Sequence, residues 1–222
     1  MDASIDTPRL RLVKLTNTDL DSQHLHWFHA LWTDADFTAW RYVPDPSILL
    51  PTHKSSVHGV SKSLQDSRDW MLEQATRYDA INYAVFAKNG ADPGVLVGNI
   101  GLRLQEEGPL LAPPSPPDEY LPVGEKKLNL RTMGYGYFKS AWGKGYATEA
   151  GRALVEVYKK SVGEKKSEEI FYIEARVHVD NPASIKVLEK VGFKEIGWKE
   201  DNPVFLAGKM RQGYSPIHGL YI

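Results

Sequence analysis

The chain has 222 residues, no cysteine, and 27 basic against 28 acidic side chains. The lack of cysteine excludes disulfides, thiolate nucleophiles and cysteine-ligated zinc. A net charge of −1 gives no overall field for a phosphate backbone or an anionic membrane, so we expect neither nucleic acid nor membrane as a partner. Because the chain shows no signal-like N-terminus and no apolar run of about 18 residues, we expect a soluble cytoplasmic protein, with access to the nucleus left open.

Hydrophobic patterning predicts one mixed α/β domain over residues 1–222. A proline-rich loop insertion interrupts it at about 108–124, with prolines at 109, 113, 114, 116, 117 and 122. The stretch after residue 193 is not assigned. The predicted elements are strands at 9–15, 83–87, 95–104, 128–138 and 170–179, and helices at 20–32, 61–77, 147–158 and 182–191.

The junction between the fourth predicted strand and the next helix contains Gly143-Lys144-Gly145. Glycine lets backbone amides approach an anion without a Cβ clash, and unpaired amides at a helix start favour negative charge. Gly134 and Gly136 inside the strand indicate a bulge, or a group that lies close against the backbone. These features predict a diphosphate cradle with Lys144 as a nearby positive charge, although the same loop glycines also fit a plain tight turn.

Two nucleotide-binding motifs do not fit this loop. A P-loop requires Gly-x-x-x-x-Gly-Lys-Ser/Thr, but Phe138 stands at the first glycine and Gly145 at the hydroxyl position. A dinucleotide fingerprint requires a third glycine where Thr148 stands. A nucleotide-dependent enzyme is therefore disfavoured and is kept only as a third alternative.

The fifth predicted strand leads into a helix with clear end signals. Asn181 is a favourable N-cap, Pro182 fits the first helical position, and Gly192 fits the residue just past the end. We therefore expect a second strand–helix unit to follow the first.

Residues 142–150, Trp-Gly-Lys-Gly-Tyr-Ala-Thr-Glu-Ala, resemble the acetyl-CoA signature of the GNAT superfamily of N-acetyltransferases. The resemblance is closest to the ribosomal-protein N-terminal acetyltransferase-like (RimJ/RimL-type) branch, although Ser140 stands where the signature has Gln or Arg. It implies a mixed, mostly antiparallel sheet that is splayed between strands 4 and 5, with helices on both faces. Further segments that resemble this branch are residues 7–12, 98–102, 133–135, 173–177 and 180–193.

The resemblance implies that acetyl-CoA binds between the splayed strands, with its pantetheine arm on the exposed backbone of the fourth strand. It places the diphosphate on the glycine loop and the first helical turn. Asn181 is implied as a further contact, which is compatible with a plain N-cap role. The implied cofactor residues are Tyr137, Phe138, Trp142, Gly143, Lys144, Gly145, Tyr146, Ala147, Thr148 and Asn181.

The resemblance also implies direct attack of a neutral amine on the thioester, which requires a base for the amine and an acid for the leaving thiolate. Ser184 matches a branch serine that could protonate the thiolate, whereas Glu189 stands where many superfamily members have a tyrosine acid. Thr132 stands where branch members often have a glutamate, so the candidate bases are Glu174 and His178 on the polar face of the fifth strand. Each candidate also fits a capping, solvated or structural role.

Arg41 and Tyr42 lie in a segment that resembles the Arg-Tyr-Leu-Pro of the branch, which makes them candidate acceptor-site residues. For Tyr42, packing in the core is an equal alternative. His24, His26 and His29 lack the i, i+4 spacing of a zinc-binding helix, so we expect no metal site.

We therefore expect an N-acetyltransferase that moves an acetyl group from acetyl-CoA to a primary amine, either a peptide N-terminus or a small-molecule amine. The alternative from another class is a non-catalytic acyl-CoA-binding sensor. The departures at Thr132, Ser140 and Glu189 keep it open. The sequence does not decide between a monomer and a homodimer.

Overall fold

The computed structural model describes residues 1–41, 60–116, 127–163 and 169–222. Within these ranges no helix is long and apolar enough to cross a lipid bilayer. The strands are β1 (Ser4–Asp6), β2 (Leu10–Lys14), β3 (Ile81–Ala87), β4 (Val95–Leu104), β5 (Lys127–Tyr137), β6 (Glu169–Arg176), β7 (Lys194–Leu206) and β8 (Lys209–Tyr221). The α-helices are α1 (Gln23–Trp32), α2 (Ala35–Thr38), α3 (Leu64–Thr76), α4 (Tyr146–Ser161) and α5 (Pro182–Val191).

The strands of the described ranges form one open sheet in the order β1-β2-β3-β4-β5-β6-β8-β7. All neighbouring pairs in this sheet run antiparallel except β5 and β6, which run parallel and are connected through α4. Helices cover both faces of this mostly antiparallel sheet, which confirms the predicted fold class.

Two apolar cores lie on opposite faces of the sheet. Helices α4 and α5 pack against one face, and α1 and α3 pack against the other. Strand β3 shows the separation directly, because Val85 belongs to the first core and its neighbours Ala84 and Phe86 belong to the second. On β6, Ile173 belongs to the first core. The side chain of Glu174 therefore lies on the α1/α3 face.

Hydrogen-bonding side chains set the helix ends. Helix α1 begins later than predicted because the Ser22 hydroxyl accepts a hydrogen bond from the Leu25 N–H at 3.1 Å. The predicted end signals of α5 are confirmed. The Asn181 side chain accepts from the Ser184 N–H at 3.2 Å, and Gly192 follows the last turn with a left-handed φ of +114°.

The sheet has three strands that the sequence patterns do not predict, namely β1 and the β7–β8 hairpin. Because β1 comes first, the fourth and fifth predicted strands are β5 and β6, and β6 ends at Arg176 rather than at residue 179. The hairpin carries a bulge between Asp201 and Val204. The tip of the hairpin contacts the end of α2, where the Ala207 N–H donates to the Ala39 carbonyl at 2.7 Å.

The proline-rich insertion is described through residue 116, and this part lies on the α1/α3 face of the sheet. The Leu110 N–H donates to the Glu174 carboxylate at 3.0 Å, and the Tyr221 hydroxyl donates to the Pro114 carbonyl at 2.7 Å. The remainder of the insertion and Tyr42 lie outside the described residues.

Candidate active site

Strand β5 pairs with its two neighbours over different lengths. Against β4 the pairing runs from Arg131 to Tyr137. Against β6 it runs from Lys127 to Thr132, whose partner is Glu174. Over residues 133–137, β5 therefore has no strand partner on its β6 side in the described part of the chain. The two parallel strands separate at this point and leave a wedge that opens toward their carboxyl ends.

The backbone of Tyr137 faces this wedge. The Phe138 N–H donates to the Val97 carbonyl of β4 at 3.0 Å. Since successive residues of a strand direct their backbone groups to opposite sides, Tyr137 is directed toward β6. Its carbonyl accepts from the Trp142 indole Nε1–H at 2.8 Å. The Phe138 carbonyl accepts from the Ala141 N–H, so both backbone groups of Phe138 have partners within the chain, and its contact with the cofactor stays a prediction.

The glycine loop between β5 and α4 adopts a conformation suited to an anion. Gly143 and Gly145 have φ values of +73° and +78°, which favour glycine, and Gly145 directly precedes α4. The first amides of a helix have no acceptor inside it, so those of Tyr146, Ala147 and Thr148 are available to a ligand. The helix dipole adds to the attraction for negative charge. Lys144 is exposed beside these amides.

The first turn of α5 lies over the unpaired part of β5, on the α4/α5 face of the sheet. The carbonyl of Ser184 accepts a hydrogen bond from the Tyr135 hydroxyl at 3.1 Å, which ties α5 to the unpaired part of β5. Burial raises the pKa of Tyr135 to about 12, so its phenol stays protonated at neutral pH. Ser184 is half-buried at the same place. Asn181 caps this turn, as described above.

Glu174 lies where β5 and β6 begin to separate, but its carboxylate is fully buried. One oxygen accepts from the Leu110 N–H, and the other has no hydrogen-bond partner among the described residues. Burial raises the pKa of Glu174 above its ordinary value, and the backbone N–H groups of Leu110 and Leu111 oppose this only in part. The insertion therefore covers this candidate base.

His178 lies two residues beyond the end of β6 and is also buried. Its Nδ1 accepts from the Asp180 N–H at 3.1 Å, which leaves the proton of a neutral ring on Nε2. That nitrogen lies 3.9 Å from a carboxylate oxygen of Asp201, too far for a hydrogen bond, and this oxygen accepts from the Ser215 hydroxyl at 2.6 Å. His178 is thus buried against the β7–β8 hairpin, and its side chain is not exposed in the wedge.

A comparison with protein families gives a match to the acetyltransferase (GNAT) domain over residues 9–194, which is most of the chain. This chain belongs to the GNAT family. The matched range includes β2 to β6, the glycine loop and all of α5.

Solved structures of other GNAT proteins share the fold. RimL, a ribosomal L7/L12 α-N-protein acetyltransferase in complex with coenzyme A, is 16% identical with a TM-score of 0.61, and the alignment covers 99% of this chain and 98% of RimL. Mycobacterium smegmatis RimJ, solved with a CoA disulfide, is 16% identical with a TM-score of 0.60, with coverage of 98% and 85%. A GNAT acetyltransferase from Bacillus anthracis is 19% identical with a TM-score of 0.57, with 98% of each chain covered. These neighbours agree with the RimJ/RimL-type resemblance.

The GNAT domain of this chain brings the wedge, the glycine loop and the start of α5 to one end of the sheet. The loop begins within a few residues of the end of β5, after a short 3-10 turn at Lys139–Ala141, and α5 follows shortly after β6. Both connections leave the carboxyl ends of parallel strands, where ligands bind in open α/β sheets. Tyr137, the glycine loop and Asn181 thus lie on segments that meet this end of the sheet, and their contacts with a cofactor stay predictions.

On the expected acceptor side of this GNAT domain, Arg41 is half-buried and stacks on aromatic rings. Its guanidinium carbon lies 3.6 Å from the centroid of the Trp32 ring and 5.3 Å from that of Phe37. The hairpin tip approaches the same region, because Arg211 lies over the Trp40 ring at 4.7 Å. These contacts give Arg41 a structural role beside the predicted one.

Three residues around the glycine loop were not singled out from the sequence as functional. Thr7 and Arg9, which precede β2, contact Glu149 in the first turn of α4. The sequence gives only a weak signal for a role of Thr7 and Arg9, because the segment at 7–12 resembles the first strand of the family and no binding motif. The pairing itself joins residues 140 positions apart, which spacing cannot show.

Proposed function

We propose that this chain transfers an acetyl group from acetyl-CoA to a primary amine of a peptide N-terminus or a small molecule. The observation that carries the proposal is the meeting of the unpaired edge of β5 with the glycine loop at one end of the sheet. An extended arm that ends in a diphosphate fits this pair of features, because the strand edge offers backbone hydrogen bonds and the loop offers amides. RimL, a structural neighbour, was solved with coenzyme A.

The residues assigned to the ligand follow from this arrangement. The edge of β5 at Tyr135 and Tyr137 would bond the pantetheine amides, and the amides from Gly143 to Thr148 would hold the diphosphate. The space beside Gly143 is open, since a Cβ built there would meet no atom within 4 Å. Trp142, about half exposed, borders the same edge.

The reaction requires two proton transfers. The amine nitrogen bonds to the acetyl carbon, the carbon–sulfur bond breaks, the amine loses a proton and the sulfur gains one. An alkyl amine of pKa about 10 is mostly protonated at neutral pH, so a base or water relay is needed. We propose Ser184 as the proton donor to sulfur and Glu174 as the base, with His178 as the second candidate. The raised pKa of Glu174 makes its carboxylate a stronger base than that of an exposed glutamate.

The burial of both candidate bases favours a second function, a non-catalytic acyl-CoA sensor. Glu174 is fully covered, and His178 is 6% exposed. A base must come within hydrogen-bond reach of the amine, directly or through one water. If the insertion does not move from Glu174, the chain would bind the ligand without turning it over.

The test combines the chain with acetyl-CoA and a panel of peptide and small-molecule amines, and follows thiol release and the mass of the product. We expect release of free thiol that depends on the amine, with an acetylated product. Ser184→Ala should lower kcat by roughly 10²-fold or more while the affinity for coenzyme A is kept. Ser4→Ala, at an exposed serine of β1, is the matched control. Tight binding of coenzyme A without turnover of any amine would support the sensor instead.

A further inference from the structure

The carboxylate of Glu149, in the first turn of α4, is held by three hydrogen bonds and an ion pair from two residues that precede β2. One oxygen accepts from the Thr7 hydroxyl at 2.6 Å and from the Arg9 N–H at 2.9 Å. The other accepts from the Arg9 Nε–H at 2.7 Å, and Nη2 of the same guanidinium lies 2.6 Å from it in an ion pair. Together with the backbone bond from the Arg9 N–H, these contacts restrict the orientation of the guanidinium.

The same guanidinium reaches the glycine loop. Arg9 Nη1–H donates to the Lys144 carbonyl at 2.9 Å, and a Cβ placed on Gly145 would lie 3.4 Å from Nη2. The guanidinium carbon also lies 5.2 Å from the centroid of the Tyr146 ring. Arg9 thus touches the loop between its two left-handed glycines while remaining 53% exposed.

This contact sets the direction of one loop amide. The peptide that joins Lys144 to Gly145 is trans, so its C=O and N–H point in opposite directions. With the carbonyl held on Arg9, the Gly145 N–H must point away from Arg9. Gly145 on one side of this peptide has few steric limits on φ, so the hydrogen bond from Arg9 opposes a rotation that would turn the Lys144 carbonyl toward an anion.

We propose that Arg9 is a positioning residue for the diphosphate of coenzyme A, which aims the Gly145 amide at it by holding the Lys144 carbonyl. The inference rests on the proposed function. Thr7 and Glu149 hold Arg9 in place.

Charge compensation is a separate effect of the same pair. The Glu149 carboxylate lies at the start of α4, near where a diphosphate would bind, and Arg9 neutralises it. The bonds from Thr7 and Arg9 outweigh burial and lower the pKa of Glu149, so the group is ionised at neutral pH. A variant that loses only the guanidinium would leave this negative charge uncompensated. The double variant Arg9→Gln/Glu149→Gln separates the two effects, because it removes both charges and leaves the Lys144 carbonyl unheld.

The test measures the Kd of coenzyme A and of dephospho-coenzyme A by calorimetry. Arg9→Gln should raise both by roughly tenfold, the size expected for lost hydrogen bonds to charged groups. Arg9→Lys should recover part of the loss, and the double variant should not restore the affinity. Arg11→Gln is the matched control, since Arg11 lies only two residues away, in β2, and pairs with Asp6 and Asp92 instead. The Kd of Arg11→Gln for both ligands should stay within about twofold of the wild-type value.

Three results would overturn the inference. Wild-type affinity in Arg9→Gln would remove the positioning role, and full recovery in the double variant would reduce it to charge compensation. A loss confined to coenzyme A, with dephospho-coenzyme A unaffected, would mean that Arg9 contacts the 3′-phosphate directly. Circular dichroism and the unfolding midpoint establish that each variant is folded. Failure of the wild-type chain to bind either ligand would instead count against the proposed function.

Discussion

Replacement of Gly143 by alanine tests whether the left-handed backbone of the glycine loop is required for the cofactor. The residue has a φ of +73°, and a Cβ at this position would meet no atom within 4 Å. The added methyl group therefore causes no clash, and the only cost is that of a non-glycine residue in the left-handed region. That cost is about 1–2 kcal/mol.

We expect this cost to appear in ligand binding rather than in folding. The loop is exposed at Gly143, so in the free protein it can relax to a right-handed conformation. Binding must restore the original conformation, and 1.4 kcal/mol corresponds to about a tenfold change in Kd. Gly143→Ala should therefore weaken coenzyme A binding by about 5- to 30-fold in calorimetric titration.

Gly90→Ala is the matched control, because Gly90 has a φ of +91° and open space around its Cβ position, but lies in the turn between β3 and β4. It carries the same local cost and should leave the Kd of coenzyme A unchanged. If Gly143→Ala binds as tightly as the wild-type chain, or if Gly90→Ala weakens binding equally, the loop conformation does not form the binding site.

Two further predictions concern the sheet around the wedge. A Cβ at Gly136 would lie 2.6 Å from the Phe37 ring, so Gly136→Ala should lower the free energy of unfolding by about 1–3 kcal/mol in urea titration, and Phe37→Leu should recover part of it. Failure of Phe37→Leu to recover any stability would argue against this contact. The raised pKa of Glu174 means that the folded chain holds this proton more tightly than the unfolded chain. Stability from this group is present below about pH 4 and is lost as the pH rises through the folded pKa. In Glu174→Gln, the free energy of unfolding should no longer decrease over this pH range. A pH profile identical to that of the wild-type chain would show that the carboxylate is not buried.

The parts of the fold that could be predicted from sequence are those with local signals. Asn181, Pro182 and Gly192 mark the ends of α5 because capping depends on residues a few positions apart. The glycine loop could be predicted for the same reason, since Gly143 and Gly145 adopt the left-handed conformations that only glycine enters freely.

The parts that could not be predicted depend on contacts between distant segments. The β7–β8 hairpin lacks clean alternation, because its bulge at Asp201 to Val204 shifts the register and the two faces exchange. The burial of Glu174 follows from the docking of Leu110 on it, and no pattern within β6 reports where a loop 64 positions away will lie. The direction of the Phe138 backbone depends on the register with β4, which a strand pattern alone does not determine.

The measurement that tests the central claim most directly is thermal unfolding with acetyl-CoA, coenzyme A, ADP and NAD, each in excess. A ligand at about 100 times its Kd adds about 2.7 kcal/mol, which should raise the midpoint by roughly 5–10 °C for a chain of this size. We predict such a shift with acetyl-CoA and coenzyme A, and a smaller one or none with ADP and NAD. No shift with either coenzyme A species, or equal shifts with ADP and NAD, would contradict the assignment of the wedge and glycine loop to acetyl-CoA.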